Sequence, residues 1–259
     1  MPLSSLKRLR RQANFVYEMT KTSIKLQNEH SYLGLFWYLL GPALLFSILL
    51  FVFSGRLGLS IERYPLYLLL GIISWDFFSA ATGRAMGVFV QNAGIIKALP
   101  VPLNMLVIST VMHSLLSHAA ELALFVAVAA YFDVIPHLLF IVLFLPVLLL
   151  GFLFALGMSF AVASLYVFMR DLNQIWSVLT RAWWFATPIF YAPTATGLGA
   201  KVSLWNPLYY IMHISRELLI YERIPAFWLY QNLTLFACGS LVVGYAMFHH
   251  FRPRFAEYL

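Results

Sequence analysis

The chain has 259 residues, of which 62% are hydrophobic and only 10% are charged. Soluble domains carry roughly a quarter charged residues, so this composition excludes a soluble globular protein and indicates an all-α polytopic membrane protein. The length fits about six spans of roughly 20 residues with their connections and leaves no room for a soluble catalytic domain. The net charge of +7 comes from Lys and Arg residues that are unevenly distributed around the spans, which is the pattern that orients membrane proteins. No nucleic-acid partner is predicted.

An amphipathic helix is predicted before the first span. Residues 1–31 are basic, with Phe15, Met19, Thr22 and Leu26 at helical spacing, which is typical of a helix lying at a membrane interface. Six transmembrane helices then follow from the apolar runs. They are predicted at residues 33–53, 65–82, 103–132, 138–168, 172–191 and 227–249.

Two connections depart from ordinary loops. Residues 83–102 are more polar and end in Pro100 and Pro102, which predicts a short helix outside the bilayer core. Within residues 192–226, the stretch 203–221 is apolar enough to be buried, although Asn206-Pro207 and Arg216-Glu217 interrupt it. Such a segment is tolerated at membrane depth only against protein or an aqueous cavity. We expect a re-entrant pair of helices between the fifth and sixth spans.

The basic residues predict the orientation. Six spans place both termini on one side, where eleven Lys and Arg residues lie, against five on the other side. Cytoplasmic loops carry the excess of Lys and Arg. Both termini are therefore predicted to be cytoplasmic, in a multi-pass protein.

Residues 166–191 are unusually aromatic for a membrane span. They also contain Arg181, and charge at membrane depth usually faces a bundle interior or an aqueous path. At helical spacing Trp176, Thr180 and Trp183 share one stripe, with Trp184 beside it. Aromatic rings stack on the apolar faces of sugars, whereas belts of aromatic residues also mark membrane interfaces. The pattern is consistent with the wall of a pathway. For the aromatic residues near the ends of the span, it is also consistent with such a belt.

Few residues suggest chemistry within this chain. The phosphate-binding pattern G-x-x-x-x-G-K-[ST] does not occur, because no lysine follows a glycine. ATP-driven transport would need an ATPase on another polypeptide. His118 and Glu121 share a helix face. They could bind a metal or relay protons, or they could form a hydrogen-bonded pair at a helix–helix contact. Asp76 likewise fits a functional or an interfacial role, and no metal site or cofactor is predicted in this chain.

The whole chain resembles the permease subunit of ABC-2-type polysaccharide exporters, the type V exporter-like proteins that export O-antigen, capsule and teichoic acid chains. The order and spacing of several motifs carry the resemblance. They are SYLGLFWYLLGPAL at 31–44, YLLLGIISWDFFSAA at 67–81, IIKALPVPLNML at 95–106, RDL at 170–172, TPIFY at 187–191, and WNPLYY followed by SRELL within 205–219.

The resemblance implies partners and a location. It implies a homodimer in the bacterial inner membrane, docked to two copies of a cytoplasmic nucleotide-binding ATPase that binds ATP and Mg. The substrate would be a polysaccharide linked to a polyprenyl diphosphate, and membrane lipid would surround the permease. The permease itself would make and break no covalent bond, so it is not expected to be an enzyme.

The resemblance also implies roles for particular residues. The first and fifth spans would line the substrate channel with Tyr32, Phe36, Trp37, Trp176, Thr180, Arg181, Trp183, Trp184, Phe190 and Tyr191. An outer gate would contain Trp205, Asn206, Pro207, Tyr209, Arg216 and Glu217. Coupling to the ATPase would involve Phe89, Asn92, Ile95, Ile96, Lys97, Arg170 and Asp171.

Two other functions remain open from the sequence. An ABC-2 exporter of a drug or a simple lipid shares the topology. A membrane-embedded glycosyltransferase is the more distant alternative, and it would normally cluster acidic or His residues near one membrane face. Here Glu121, Asp133 and Asp171 are scattered along the chain.

Overall fold

The computed structural model describes residues 2–28, 36–57, 61–193 and 198–259, and all regular structure within these ranges is helical. Twelve α-helices follow one another along the described chain, with a 3-10 turn at Arg252–Arg254 before the last. They are α1 (Pro2–Asn28), α2 (Phe36–Leu57), α3 (Tyr64–Met86), α4 (Val88–Gln91), α5 (Ala93–Ala98), α6 (Leu103–Tyr131), α7 (Leu138–Phe168), α8 (Leu172–Ala186), α9 (Leu198–Leu204), α10 (Pro207–Leu219), α11 (Phe227–Phe251) and α12 (Phe255–Tyr258).

Five helices in the described part of the chain are long and apolar enough to cross a membrane: α2, α3, α6, α7 and α11. The predicted fifth span, residues 172–191, is only helical as far as Ala186. Thr187 is extended, with φ −94° and ψ 134°, because a residue before proline is disfavoured in the helical region. The prediction of one continuous helix over 172–191 is therefore wrong in its last five residues.

Helix α3 forms the centre of the bundle and is buried on nearly all sides by α2, α6, α7 and α10. Helices α7 and α11 cross closely at two glycines. A Cβ atom on Gly244 would lie 1.9 Å from the carbonyl oxygen of Gly157, so only glycine permits this approach of the two backbones. Helix α2, in contrast, leaves most of its surface uncovered within the single chain.

Two short helices, α4 and α5, connect α3 to α6. They are separated at Asn92, whose Nδ2 donates to the carbonyl oxygen of Val88 at 2.8 Å. The Phe89 ring is fully buried and lies 4.9 Å from the ring of Phe255 and 6.0 Å from that of Phe248. These contacts fix α4 against the C-terminal end of the chain.

Three further helices, α1, α9 and α10, accompany the long apolar helices. Helix α1 packs along α6, where the buried Thr20 hydroxyl donates to the carbonyl oxygen of Ser109 at 3.2 Å. Helices α9 and α10 lie between α8 and α11 in sequence. Helix α10 begins favourably, because Asn206 caps it by accepting from the Leu208 amide and Pro207 occupies its first turn.

Candidate transport pathway

Helix α8 presents three different faces. One packs against α3 and α7, one is exposed and polar, and one is exposed and apolar. The exposed polar residues recur at helical spacing and form a stripe, which we call the polar stripe. It consists of Asn173, Gln174, Ser177 and Arg181. A polar stripe on an otherwise membrane-embedded helix indicates a surface that meets water or polar solute.

The packed face carries two of the predicted channel tryptophans. Trp183 lies edge-on to Phe78 at 5.1 Å and to Trp75 at 6.5 Å between ring centroids. Trp176 donates its indole N–H to the Thr82 hydroxyl at 3.3 Å. Both rings are half-buried and turned towards α3, on the other side of the helix from the polar stripe. Their assignment to a channel stays a prediction, as does that of the half-buried Thr180.

A different set of aromatic rings borders the polar stripe at the C-terminal end of α8. Trp184 lies 4.9 Å from Phe185 and 5.3 Å from Phe190. Phe190 in turn stacks on Phe53 of α2 at 5.2 Å and meets Tyr191 edge-on at 5.2 Å. We call these five residues the outer aromatic cluster. Its rings remain partly or largely exposed, so flat apolar faces are available for stacking.

Arg216 of α10 holds the non-helical chain that follows α8. Its guanidinium is 3% exposed and donates to the carbonyl oxygens of Pro188 and Ile189, each at 2.8 Å. Two further hydrogen bonds reach the carbonyl oxygen of Tyr67 at 3.0 and 3.2 Å, and the guanidinium stacks 3.4 Å from the Tyr67 ring. A buried cation is costly unless it is fully hydrogen-bonded, and these four bonds provide that.

Two tyrosines of α3 complete this attachment. Tyr64 donates its hydroxyl to the carbonyl oxygen of Phe190 at 3.1 Å, and Tyr67 donates to that of Tyr191 at 2.9 Å. With Arg216 they form what we call the clasp, which satisfies four successive carbonyl groups at 188–191. Outside a helix these groups have no helical partners, and leaving them unpaired in an apolar environment is costly.

Asn206 joins the end of α8 to the start of α10. The Trp183 indole donates to Asn206 Oδ1 at 3.0 Å, and Asn206 Nδ2 donates to the Thr187 hydroxyl at 2.8 Å. That hydroxyl donates back to the Trp183 carbonyl at 2.8 Å. The three residues thus form a closed ring of hydrogen bonds, so the predicted gate residue Asn206 acts as a joint between two helices.

The other predicted gate residues lie around this joint. Pro207 is buried, whereas Trp205 is 82% exposed. Tyr209 stacks on His213 with ring centroids 5.3 Å apart. Glu217 is half-buried and its carbonyl accepts from the Arg223 amide at 2.8 Å.

An exposed hydrogen-bonded pair ties two loops together at the same end of the bundle. The backbone N–H of His137 donates to Glu222 Oε1 at 2.8 Å, and its Nδ1 lies 2.7 Å from the same oxygen. These hydrogen bonds hold the pKa of Glu222 below its usual range. The contact connects the loop before α7 with the loop before α11.

The predicted coupling residues separate into exposed and buried groups. Ile95 and Lys97 of α5 are exposed, and Leu99 beyond them is 61% exposed. Ile96 and Asn92 are half-buried. Phe89 is buried in the bundle, so its ring anchors α4 and does not form part of the exposed surface of this segment.

Two predicted coupling residues lie in the turn between α7 and α8. Arg170 and Asp171 are both exposed. The Arg170 guanidinium lies 5.3 Å from the centre of the Tyr166 ring. The Asp171 carbonyl accepts from the Gln174 and Ile175 amides and so begins α8.

The first-span residues are mostly uncovered. Phe36 and Trp37 are 67% and 55% exposed at the start of α2. Tyr32 lies outside the described residues. The exposed surface of α2 therefore continues the uncovered surface of α8 through the contact between Phe53 and Phe190.

The buried titratable residues gather between α2, α3 and α6. His118 Nδ1 lies 3.3 Å from Glu121 Oε2. Glu121 shares a cavity of about 270 Å³ with Asp76 and Arg84, and Arg84 donates to the Ser114 hydroxyl at 3.1 Å. Among the described residues, no three His, Cys, Asp or Glu side chains are arranged to hold a metal ion.

Several of these residues were not found from the sequence. The polar stripe can be predicted in part from the sequence, since Asn173, Ser177 and Arg181 are spaced four residues apart and lie on one helix face. Tyr64 and Tyr67 gave no comparable signal, because tyrosine at the end of a span is ordinary. Their role depends on contacts with segments more than 120 residues away in the chain.

The bundle of apolar helices, the uncovered polar and aromatic surface and the exposed α5 segment define an integral membrane transport subunit. The sequence matches the family model described as ABC-2 type transporter over residues 15–220. The chain therefore belongs to the ABC-2 type transporter family and is a multi-pass membrane permease subunit. Such subunits lack nucleotide-binding sites of their own and work with an ABC ATPase.

Individual relatives are similar along almost their whole length. The O-antigen export system permease protein RfbA of Klebsiella pneumoniae is 27% identical over 252 residues, which cover 93% of each chain. The protein of the same name from Myxococcus xanthus is 26% identical and covers 92% of this chain and 93% of its own. The polysialic acid transport protein KpsM of Escherichia coli is 23% identical, over 83% of this chain and 85% of its own.

Proposed function

We propose that this chain is the permease of an ATP-driven exporter that moves a polyprenyl-diphosphate-linked polysaccharide across the bacterial inner membrane. It acts as a homodimer with two copies of a cytoplasmic ATPase that binds ATP and Mg, and both termini are cytoplasmic. The observation that carries the proposal is the similarity to O-antigen export permeases over about nine-tenths of each chain. A drug exporter of the same family would share the fold, but no feature of the described chain favours it.

The fifth crossing is completed without a full-length helix. Helix α8 has 15 residues and is therefore about 22 Å long. That is shorter than a hydrocarbon core of about 30 Å, and the chain bends after the helix, at residues 187 and 189–191. The clasp makes this non-helical part tolerable at membrane depth, because it satisfies the four carbonyl groups at 188–191.

The polar stripe and the outer aromatic cluster supply the wall of the proposed path. A long glycan needs polar contacts for its hydroxyl groups and flat apolar faces for its C–H surfaces. Ser177 and Arg181 offer the first, and Trp184 and Phe190 offer the second. Since this surface is uncovered in one chain, two copies facing each other would enclose a path between their α2 and α8 helices.

The α4–α5 segment provides the mechanical link to the ATPase. Ile95, Lys97 and Leu99 present a small exposed surface suited to a cleft in a partner. The buried Phe89 ring joins the same segment to α11 and α12. Movement imposed on α5 by ATP binding would therefore be transmitted into the bundle through α4 and through the start of α6.

Complementation of a bacterial strain lacking its own O-antigen permease tests the proposal. The chain is expressed with its genetically adjacent ATPase, and surface glycan is measured by extraction and by antibody binding to intact cells. We expect surface glycan to be restored, and to be lost again when the ATPase is inactivated. Accumulation of glycan inside the cell despite an assembled complex, together with increased drug resistance, would instead identify a drug exporter.

A further inference from the structure

A groove of about 780 Å³ lies between α1 and α6, apart from the proposed path. Helix α1 contributes one face and α6 contributes three apolar side chains. Its lining residues are Gln12, Ala13, Val16, Tyr17, Thr20, Lys21, Ile24, Met105, Met112 and Leu116. The hydrogen bond from Thr20 to the Ser109 carbonyl fixes the two helices together at one point.

The floor and the rim of the groove differ in chemistry. The floor is apolar, with Met105 and Met112 half-buried and Leu116 49% exposed. The rim carries the exposed Lys21, whose Nζ lies 6.0 Å from the centre of the exposed Tyr17 ring. An apolar trough beside a cation and a tyrosine matches the boundary between acyl chains and headgroups.

The charge of α1 is strongly one-sided. It contains six Lys and Arg residues and a single carboxylate, Glu18. Each basic residue near an anionic membrane surface adds to the attraction towards that surface. Basic pockets that adjoin transmembrane helices at the cytoplasmic face are suited to anionic lipid headgroups.

We propose that this groove is a binding site for an anionic phospholipid. One acyl chain lies on the floor formed by Met105, Met112 and Leu116, and the phosphate is held near Lys21. The bound lipid fills the space between the interfacial helix and the bundle and so fixes the position of α1. The site goes beyond the export function, although its cytoplasmic position rests on the proposed orientation.

Native mass spectrometry of the permease–ATPase complex tests the site. The complex is released from nanodiscs that contain equal amounts of phosphatidylglycerol and phosphatidylcholine, and retained lipids are counted. We expect one phosphatidylglycerol per permease chain, retained about tenfold over phosphatidylcholine. Lys21→Gln should reduce that preference to about threefold or less, because it removes the cation and leaves the shape of the groove unchanged. Lys7→Gln removes the same charge from the exposed surface of α1 outside the groove and should leave the preference unchanged.

A second variant tests the groove itself. Met112→Trp fills the floor without changing any charge and should reduce retention of both lipids. Equal retention of the two lipids by the unmodified chain would overturn the proposal, and so would an equal effect of Lys21→Gln and Lys7→Gln. Addition of polyprenyl diphosphate as a competitor provides a further test. Polyprenyl diphosphate would be the true ligand if it displaces phosphatidylglycerol and if the Met112→Trp variant no longer retains polyprenyl diphosphate. In that case the groove holds the transport substrate and the phospholipid assignment is wrong. None of these outcomes depends on measuring export.

Discussion

The two aromatic surfaces of the α8 region differ in their surroundings although they are adjacent in sequence. Trp176 and Trp183 face α3, where their rings contact Phe78; the Trp176 indole donates to Thr82 of α3, and the Trp183 indole donates to Asn206 at the start of α10. Trp184 and Phe190 face outwards beside the polar stripe and remain partly exposed. The difference indicates that one set holds α8 in place and that the other is available to a transported chain.

The largest effect is expected from removing the clasp arginine. Arg216→Leu would leave the Pro188 and Ile189 carbonyl oxygens without their donor, and each unpaired buried group costs about 1–3 kcal/mol. We expect the free energy of unfolding to fall by at least about 2 kcal/mol and the yield of assembled complex to drop. Thermal unfolding of the detergent-solubilised protein measures this. Arg216→Lys should be intermediate, because an ammonium group cannot reproduce all four hydrogen bonds.

A smaller loss is expected at the joint between α8 and α10. Asn206→Ala removes the acceptor for the Trp183 indole and the cap of α10, at a cost of about 1–2 kcal/mol. Asn206→Asp is the matched variant, since it keeps the acceptor oxygen, replaces the donor to Thr187 by a carboxylate oxygen, and places its charge at the N-terminus of α10, where a negative charge is stabilised. The two unfolding temperatures should differ, with Asn206→Asp closer to the unmodified protein. Equal losses would show that the acceptor oxygen is unimportant.

The sequence predicted the long apolar helices well and the packing of α8 poorly. Hydropathy identifies runs such as Leu138–Phe168 because nearly every residue in them is apolar. The end of α8 was also within reach of the sequence, since Pro188 disfavours a helical conformation at Thr187. A helical wheel, however, separates Trp183 from the polar stripe without indicating which of the two faces the bundle.

The clasp could not be predicted for a different reason. It joins residues from α3, from the chain after α8 and from α10, which only the folded structure brings together. The clasp also requires a glycine at position 71. A Cβ atom on Gly71 would lie 2.5 Å from Arg216 Nη2 and 2.8 Å from the Ile189 carbonyl oxygen. The sequence placed Arg216 in an outer gate, which stays a prediction, and gave no sign that its guanidinium is buried and bonded to backbone carbonyl oxygens.

The polar stripe should affect export and leave stability unchanged. Arg181 is exposed, so Arg181→Gln should not alter the unfolding temperature. An exposed charge contributes about 0.5–1 kcal/mol to an interaction, which corresponds to a decrease in the export rate of roughly two- to fivefold. Arg223→Gln removes an exposed cation from the loop after α10 and serves as the control. Export reduced equally by both variants would show that overall charge, and not the stripe, is responsible.

The smallest effect is expected at the exposed pair of His137 and Glu222. The hydrogen bonds from His137 lower the pKa of Glu222 in the folded protein. The pair therefore stabilises the fold above the ordinary carboxyl pKa of about 4.3, and this contribution is lost as the pH falls through the lowered value. Glu222→Gln should unfold at a slightly lower temperature than the unmodified protein at pH 7. The difference should disappear at strongly acidic pH, and a difference that persists there would contradict the assignment.

The comparison of Trp183→Ala with Trp184→Ala is the most direct test of the account. Export of surface glycan is measured per assembled permease–ATPase complex, alongside the unfolding temperature of each purified variant. We predict that Trp183→Ala lowers the unfolding temperature and leaves export per complex close to normal. Trp184→Ala should leave the unfolding temperature nearly unchanged and reduce export per complex. The opposite pattern, with export lost in assembled Trp183→Ala and retained in Trp184→Ala, would contradict the assignment of the two aromatic surfaces.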